Sequence, residues 1–159
     1  MIDPKILKAF KRIYPELTNP ARKPIHWAVT GSLGMVLHGM TMEIHDIDIQ
    51  TDKEGAYEIE RRLVTSLVKL VHFKASEIVR SYFGVFEVEG IKIEVMGGLQ
   101  HRSLDQSWLP PVQVELHKEW IDYEGMSIPV MSLTHEAEAY DLYRRTEKAQ
   151  KIKEFIAKK

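Results

Sequence analysis

The chain has 159 residues, of which 22 are Lys or Arg, 23 are Asp or Glu, and 44% are hydrophobic. This length and apolar fraction suit one domain spanning residues 1–159 and exclude an intrinsically disordered chain. The absence of Cys excludes disulfide frameworks, thiol catalysis, zinc ribbons and iron–sulfur clusters. Because no apolar run approaches the roughly 20 residues of a membrane helix, and the N-terminus lacks the apolar region of a signal peptide, we expect a cytoplasmic protein without a membrane partner.

The charged residues are unevenly distributed along the chain. Residues 1–24 carry six basic and two acidic groups, residues 144–159 carry seven and two, and residues 25–143 carry nine and nineteen. Solvated helices would explain this pattern. A carboxylate site for a metal, flanked by basic segments that face a phosphate-bearing partner, would also explain it. Composition alone does not decide between the two.

Caps and hydrophobic periodicity divide the first half of the chain into alternating helices and strands. Asp3 and Pro4 are typical of a helix start, and Thr51 with Glu54 fits a capping box. The predicted elements are a helix from Pro4 to near Pro15, a strand over His26–Thr30, a short helix from Ser32, a strand over Asp46–Gln50, and a helix from Thr51 to around Val71.

The second half is predicted to be richer in strands. Gly90 indicates a tight hairpin, and residues 97–111, which have no periodicity, are predicted to form a long loop. The predicted elements are strands over Glu77–Tyr82, Val85–Glu89, Ile91–Val95, Val112–Leu116, Trp120–Tyr123 and Ile128–Met131, and a long helix from Thr134 to about Ile156. This order of elements favours an α+β fold with a mixed sheet covered by helices.

Two carboxylates are predicted to lie side by side on the second strand. Residues two apart in a strand point the same way, so Asp46 and Asp48 are separated by about 7 Å at the backbone. Ile47 and Ile49 face the core and fix the strand. Two carboxylates on one face repel each other unless a positive charge lies between them, and a divalent metal is the usual solution.

Gly31 and Ser32 lie where the first strand gives way to a helix. Glycine lets a phosphate approach the backbone, and the serine hydroxyl and free N–H groups can bind phosphate oxygens. Glu94 is a third carboxylate, on a strand whose Ile91, Ile93 and Val95 share the buried face. If that strand lies next to the Asp46–Asp48 strand, the three carboxylates together suit a two-metal site.

These residues resemble the nucleotidyltransferase superfamily, which shares the DNA polymerase beta-like fold and includes small "minimal" bacterial members. The resemblance covers residues 26–96 and rests on Gly31-Ser32, thirteen intervening residues, Asp46-x-Asp48 between apolar residues, and the later acid Glu94. It implies an α+β nucleotidyltransferase fold with a mixed, largely antiparallel sheet. Glu94 stands where several relatives have Asp, and the final helix keeps only Lys148 of a longer polar run.

The resemblance also implies roles for individual residues. Gly31 and Ser32 would bind the triphosphate. The basic end of the last helix is either a solvated face or supplies a further triphosphate contact through Lys148 or Arg144. Asp46, Asp48 and Glu94 would hold Mg²⁺, and Glu94 would also act as, or assist, the general base. The implied activity is transfer of a nucleoside monophosphate from NTP to an acceptor hydroxyl. Absence of Cys fits this hard, oxygen-liganded metal.

Other motifs carry less information. An EF-hand is excluded because Thr51 and Tyr57 stand where its loop needs Gly and Glu, and the histidines lack the spacing of zinc ligands. The remaining candidates for nucleotide contact are His38, His45, Arg80, His101, Arg102 and Trp108. Trp108 would stack on a base or fill the space under the loop.

The acceptor partner is left open as a small molecule, RNA or protein. Because little chain remains outside the core, we expect part of the site to come from a second copy in a homodimer or from a partner protein. The alternative function is an antitoxin-like or inactive nucleotide-binding protein that pairs with a helical toxin.

Overall fold

A seven-stranded mixed sheet organises the chain, and the computed structural model describes residues 2–159. The strands are β1 (Trp27–Thr30), β2 (Ile47–Thr51), β3 (Leu67–Ala75), β4 (Val79–Val88), β5 (Ile91–His101), β6 (Lys118–Tyr123) and β7 (Met126–Met131). The α-helices are α1 (Pro4–Thr18), α2 (Gly31–Leu37), α3 (Lys53–Arg62), α4 (Leu133–Leu142) and α5 (Thr146–Ala157). Across residues 2–159, no helix is both long and apolar enough to cross a membrane.

The strands lie in the order β3-β4-β5-β2-β1-β7-β6. Strand β2 runs parallel to β5 and β1 runs parallel to β7, while the other four neighbouring pairs are antiparallel. The prediction of an α+β fold with a mixed, largely antiparallel sheet is therefore confirmed. The parallel pairing of β2 with β5 brings two segments together that are more than forty residues apart in sequence.

One face of the sheet packs on α1 and α3. The buried residues of this core include Phe10 of α1, Ile59 of α3, and Ile49 and Val95 of the central strands. Because strand residues alternate between faces, Asp48 and Glu94 point to the opposite face, where α4 lies. Burial of the isoleucines and valines thus fixes the direction of the acidic side chains.

The first helix begins as predicted and ends later. Asp3 accepts a 2.8 Å hydrogen bond from the Lys5 amide, and Pro4 is the first helical residue. The helix continues past Pro15 to Thr18, although proline removes one backbone donor. Leu17, which is buried, anchors the extra turn in the core.

Two predictions about α3 are wrong. Its N-cap is Asp52, which accepts a 2.6 Å hydrogen bond from Gly55 N, whereas the Thr51 hydroxyl donates to the His26 carbonyl. The helix ends at Arg62 and not near Val71, because Leu67–Ala75 pairs with β4 as an edge strand. Pairing with β4, the next strand along the chain, overrides the helical spacing of the leucines in this segment.

The strands after β3 also differ from prediction. Val79–Val88 is one strand and not two, and β5 continues through two glycines to His101, into the segment predicted to be a loop. Between Tyr82↔Gly97 and Arg80↔Gln100 the register shifts by one residue, which is a β-bulge. The extra residue lets β5 bend while it stays paired with β4.

Two predictions near the C-terminus are corrected as well. Val114–Leu116 is a 3₁₀ turn and not part of a strand over Val112–Leu116. The predicted long helix is divided into α4 and α5 at Arg144, whose φ is 62°. A left-handed residue cannot continue a right-handed helix, so α5 turns back and packs on α4.

Candidate functional site

Asp48 and Glu94 lie directly opposite each other on the parallel strands β2 and β5. Both are partly buried, on the face that α4 covers. Asp46 precedes the first residue of β2 and is not part of the strand, contrary to prediction. The tertiary structure therefore brings two of the three predicted acids into register, with the third at the entrance to the strand.

Lys92 is the cation nearest to this group. Its Nζ lies 3.6 Å from Oδ2 of Asp46 and 3.8 Å from Oε1 of Glu94, and its side chain is half-exposed. One lysine thus faces the two outer carboxylates, while Asp48 lies deeper. The three acids carry more negative charge than Lys92 neutralises.

The environment of Asp48 disfavours its charged form. Burial, followed by the negative charges of Glu94, Asp46 and Glu136, raises the pKa of Asp48 to about 7, against an ordinary value of 3.8. Lys92 has only a small opposing effect. A carboxyl group held in this way binds either a proton or another cation near neutral pH.

Gly31 packs directly against Asp48. It follows Thr30, the β1 residue paired with Asp48, and has a φ of 69°. A β-carbon at Gly31 would lie 2.5 Å from Oδ2 of Asp48, so the space between them has no room for a side chain. Gly31 and the half-buried Ser32 begin the first turn of α2, here called the Gly31 turn.

Glu136 on α4 is a site residue that sequence reasoning missed. It is 4% exposed and accepts hydrogen bonds from the Thr30 hydroxyl and from Gly31 N, the latter at 3.4 Å. Burial raises the pKa of Glu136 to about 7, although the two hydrogen bonds lower it. In the sequence, Glu136 lies three residues after Leu133 and one before Ala137, which puts this ionisable residue on the apolar face of a helix. This spacing was the sequence signal that could have identified Glu136 as a site residue.

A small cavity, here called the acidic cavity, lies between these strands and α4. Its volume is about 220 Å³. It is lined by polar and apolar side chains and backbone from β1, β2, β5 and α4, namely Thr30, Gly31, Asp48, Gln50, Glu94, Met96, Leu99, His135, Glu136, Ala139, Tyr140 and Tyr143. The predicted acids Asp48 and Glu94 therefore share one cavity.

A larger cavity, here called the basic cavity, lies on the other side of the Gly31–Ser32 turn and has a volume of about 720 Å³. Ser32 lines it together with four basic residues that lie just before α5 or in its first turns, Arg144, Arg145, Lys148 and Lys151. Glu43 and Glu147 also line it. The basic C-terminal segment, whose role the sequence left open, thus faces the predicted phosphate turn.

Charged residues of both cavities shift the pKa of Lys148. Its Nζ lies 4.8 Å from the centre of the Tyr140 ring. Burial and the charge of Arg145 lower the pKa of Lys148, while Glu136 and Asp48 raise it. Lys148 is therefore positioned between the acidic group and the basic cavity.

The other candidate residues lie elsewhere. The buried His38 ring places Nε2 2.9 Å from the Met131 carbonyl oxygen, and His45 is exposed beside Glu43. Trp108 lies between the guanidinium groups of Arg80 and Arg102, at 4.2 and 5.3 Å. His101 packs edge-on against Tyr143. None of these residues lines either cavity in the described part of the chain.

The donor chemistry of Asp46, Asp48 and Glu94 fits a divalent cation. All three offer hard oxygen donors, and their mutual repulsion contributes to the raised pKa of Asp48. Within residues 2–159, no three His, Asp or Glu side chains lie close enough together to hold a metal ion. A metal role for the three carboxylates remains a prediction.

Comparison with known proteins identifies the family and the fold of the chain. Residues 15–154 match the aminoglycoside-2''-adenylyltransferase family. The fold matches a provisionally assigned nucleotidyltransferase from Thermotoga maritima, with 42% identity, a TM-score of 0.86, and coverage of 100% of this chain and 97% of that one.

A second solved structure shares the fold at low identity. The lincosamide antibiotic adenylyltransferase LnuA, bound to lincomycin, matches with 12% identity and a TM-score of 0.54, over 95% of this chain and 98% of that one. No curated protein matches the chain. The comparisons confirm the predicted nucleotidyltransferase resemblance and fold.

Proposed function

The chain belongs to the aminoglycoside-2''-adenylyltransferase family and is a nucleotidyltransferase, and on that premise we propose that it transfers a nucleoside monophosphate from NTP to an acceptor hydroxyl. One observation carries this proposal. Asp48, which is paired with Glu94, packs against the Gly31 turn, and this turn contributes Gly31 to the acidic cavity and Ser32 to the basic one. Such an arrangement suits a reaction in which a polyanion meets a metal-assisted nucleophile.

The basic cavity would hold the triphosphate. Ser32 offers a hydroxyl donor, and Arg144, Arg145 and Lys148 offer charged donors on the facing wall. Charged donors form the stronger hydrogen bonds to phosphate oxygens, and the fork of arginine suits them geometrically. At about 720 Å³ the cavity has room for a nucleotide, since pockets of roughly 300–1,000 Å³ bind ligands of that size.

The acids would hold the cation that the triphosphate brings. Asp46, Asp48 and Glu94 are the residues proposed to bind Mg²⁺. When bound, the metal would neutralise phosphate charge and lower the pKa of the acceptor hydroxyl. The close packing of Gly31 on Asp48 holds this carboxylate at a fixed distance from the phosphate turn.

The reaction is proposed to exchange one bond at phosphorus for another. The acceptor oxygen forms a bond to the α-phosphorus, the bond from that phosphorus to the bridging oxygen of the β-phosphate breaks, and pyrophosphate leaves. The hydroxyl proton passes to the carboxylate of Glu94, which lies beside Asp48 on the cavity wall. Lys148 and the arginines would balance the charge of the departing pyrophosphate.

Calorimetry with Mg-ATP tests the site assignment. We expect Asp46→Ala to lose the metal-dependent part of ATP binding while its thermal unfolding stays close to wild type, because Asp46 lies outside the core. Asp122→Ala is the matched control, since it removes an exposed aspartate from the edge strand β6. Unchanged Mg-ATP affinity in Asp46→Ala would contradict the proposed metal site.

Labelling experiments test the activity itself. The protein would be incubated with each NTP labelled on the α-phosphate, Mg²⁺ and cell extract, and the labelled product identified. We expect one extract component to become labelled with concurrent release of pyrophosphate. Binding of NTP without pyrophosphate release from any mixture would favour a nucleotide sensor over a transferase.

A further inference from the structure

Lys92 is the one basic side chain of residues 2–159 that forms ion pairs with the proposed metal ligands. We infer that Lys92 is a positioning residue, which holds Asp46 and Glu94 and opposes the binding of a divalent cation that arrives without nucleotide. The inference rests on the proposed function, because it concerns regulation of the same site. It gives a role to a lysine that the proposed reaction does not use.

The strand register explains how Lys92 reaches the acids. Lys92 lies two residues before Glu94 on β5, so both side chains point to the same face of the sheet. Glu94 is paired with Asp48 of the parallel strand β2. Asp46, two residues before Asp48, therefore comes beside Lys92, and Oδ2 of Asp46 lies 3.6 Å from the ammonium nitrogen. The lysine and the three acids occupy neighbouring positions on one face of the sheet.

The choice of partners shows that the acidic group attracts Lys92. The residue directly opposite Lys92 on β4 is Glu87, and oppositely charged residues in such a pair ordinarily stabilise each other. Within the described chain, however, the ion pairs of Lys92 are those with Asp46 and with Glu94, the latter at 3.8 Å. The ammonium thus lies between the two outer acids of the proposed metal set.

The contacts of Lys92 suit a counter-ion that can be displaced. Both distances are longer than the roughly 2.7–2.9 Å of a charge-assisted hydrogen bond. The Lys92 side chain is 51% exposed, and ion pairs at such positions contribute little to stability because water screens them. The flexible stem of lysine lets its ammonium group move away without any change in the strand.

A free divalent cation would compete with this ammonium group. A cation bound to the oxygens of Asp46 and Glu94 would lie next to Nζ of Lys92, because this nitrogen is close to one oxygen of each acid. Two positive charges at such a short separation repel each other. Either Lys92 moves, and loses both ion pairs, or the cation binds weakly.

A cation that arrives with a triphosphate meets the opposite situation. The complex as a whole carries a net negative charge, so a nearby lysine attracts it. Once released from the acids, the ammonium group has phosphate oxygens as new partners. Lys92 therefore opposes the binding of the free cation and not the binding of the cation with nucleotide.

Electron paramagnetic resonance of Mn²⁺ tests the inference without any turnover. The titrations would be made at pH 8, because burial and the neighbouring acids raise the pKa of Asp48 to about 7. Each protein would be titrated with Mn²⁺ alone, and again with an ATP analogue whose α,β-bridge is a methylene group. We expect Lys92→Met to tighten the binding of Mn²⁺ alone about fivefold, the factor that about 1 kcal/mol produces, and not to tighten binding with the analogue.

Two control variants separate a local effect from a general change in charge. Lys92→Arg keeps the positive charge, so we expect it to bind Mn²⁺ as wild type does. Lys69→Met removes an exposed lysine of β3 that lies two strands from Glu94, because Val85 of β4 pairs with both residues. We expect it to leave the affinity unchanged, since solvent screens charges at that distance. Equal tightening in Lys69→Met and Lys92→Met would overturn the inference.

Failure of this inference is separable from failure of the proposed function. If wild type binds Mn²⁺ with the analogue, but Lys92→Met leaves the binding of Mn²⁺ alone unchanged, the inference is overturned and the proposed metal site stands. Equal tightening by Lys92→Met with and without the analogue would also overturn it. If none of the proteins binds Mn²⁺ even with the analogue, the proposed metal site is contradicted, and the role of Lys92 with it.

Discussion

Gly31 and Asp48 are in such close contact that a β-carbon on Gly31 would lie 2.5 Å from Oδ2 of Asp48. The contact joins the end of β1 to the acidic residue on β2, which pairs with Thr30. It sets the distance between the backbone at Gly31, in the proposed phosphate-binding turn, and the side chain of Asp48, a proposed metal ligand. The geometry of this site therefore depends on the absence of a side chain.

Replacing Gly31 by Ala tests this contact. We expect Gly31→Ala to reduce nucleotidyl transfer more than tenfold, because Asp48 must move to admit the methyl group. Gly90→Ala is the matched control: φ is 69° at Gly31 and 77° at Gly90, but a β-carbon at Gly90 meets no described atom within 4 Å. Both variants lose about 1 kcal/mol through backbone strain. Equal activity in the two variants, measured by pyrophosphate release, would contradict the prediction.

Glu136 is expected to hold the Gly31 turn in place through its two hydrogen bonds. Glu136→Ala removes the acceptor for two buried donors, so we expect a loss of about 2–3 kcal/mol in the free energy of unfolding. Glu136→Gln keeps an acceptor oxygen and should lose less than about 1 kcal/mol. Urea unfolding measures both. Glu138→Ala, on the exposed side of α4, is the control, and a similar loss there would show that the effect is not specific to the turn.

Lys148 is expected to contribute to triphosphate binding, because it lines the basic cavity near the acidic group. Charge-assisted hydrogen bonds are worth about 1.5–3 kcal/mol, so Lys148→Ala should weaken Mg-ATP binding roughly 10- to 100-fold. Lys158→Ala, an exposed lysine just after α5, should leave the affinity unchanged. Calorimetric titration compares the two, and equal affinities would remove Lys148 from the proposed site.

His101 is expected to destabilise the fold on acidification. Burial lowers its pKa from 6.5 to about 4, so between these values the unfolded chain binds more protons and the free energy of unfolding falls as pH decreases. His101→Phe removes this group while keeping a ring against Tyr143. We expect the Tm of the variant to exceed that of wild type by a larger margin at pH 5 than at pH 7. A difference in Tm between variant and wild type that does not change with pH would contradict the lowered pKa of His101.

The sequence by itself determined the elements whose signals are local. Asp3 and Pro4 located the start of α1, and alternation in Asp46–Gln50 and Ile91–Val95 located two central strands, although Asp46 itself precedes β2. These signals are readable because a strand repeats every two residues and a cap binds its own first turn. The motif of Gly31-Ser32, Asp46, Asp48 and Glu94 also led to the nucleotidyltransferase superfamily, which the comparisons confirm.

Only the tertiary structure decided which segments meet. The leucine-rich segment after Arg62 has helical spacing, yet it forms a hairpin with β4. The cross-strand contacts that favour this pairing are not visible in the spacing of the leucines. The break between α4 and α5 depends on one left-handed residue, Arg144. That break turns the basic end of the chain back toward Ser32 and forms the basic cavity.

Long-range packing also decided the burial and the electrostatics of the site residues. Glu136 is a residue of α4 that becomes a site residue only because the Gly31 turn folds against it, more than a hundred residues away. Gln50 is an ordinary strand residue in the sequence, but in the structure it is buried in the acidic cavity and its Nε2 has no hydrogen-bond partner among residues 2–159. The sequence thus supplied the chemical groups, while long-range packing set their burial, their partners and their pKa values.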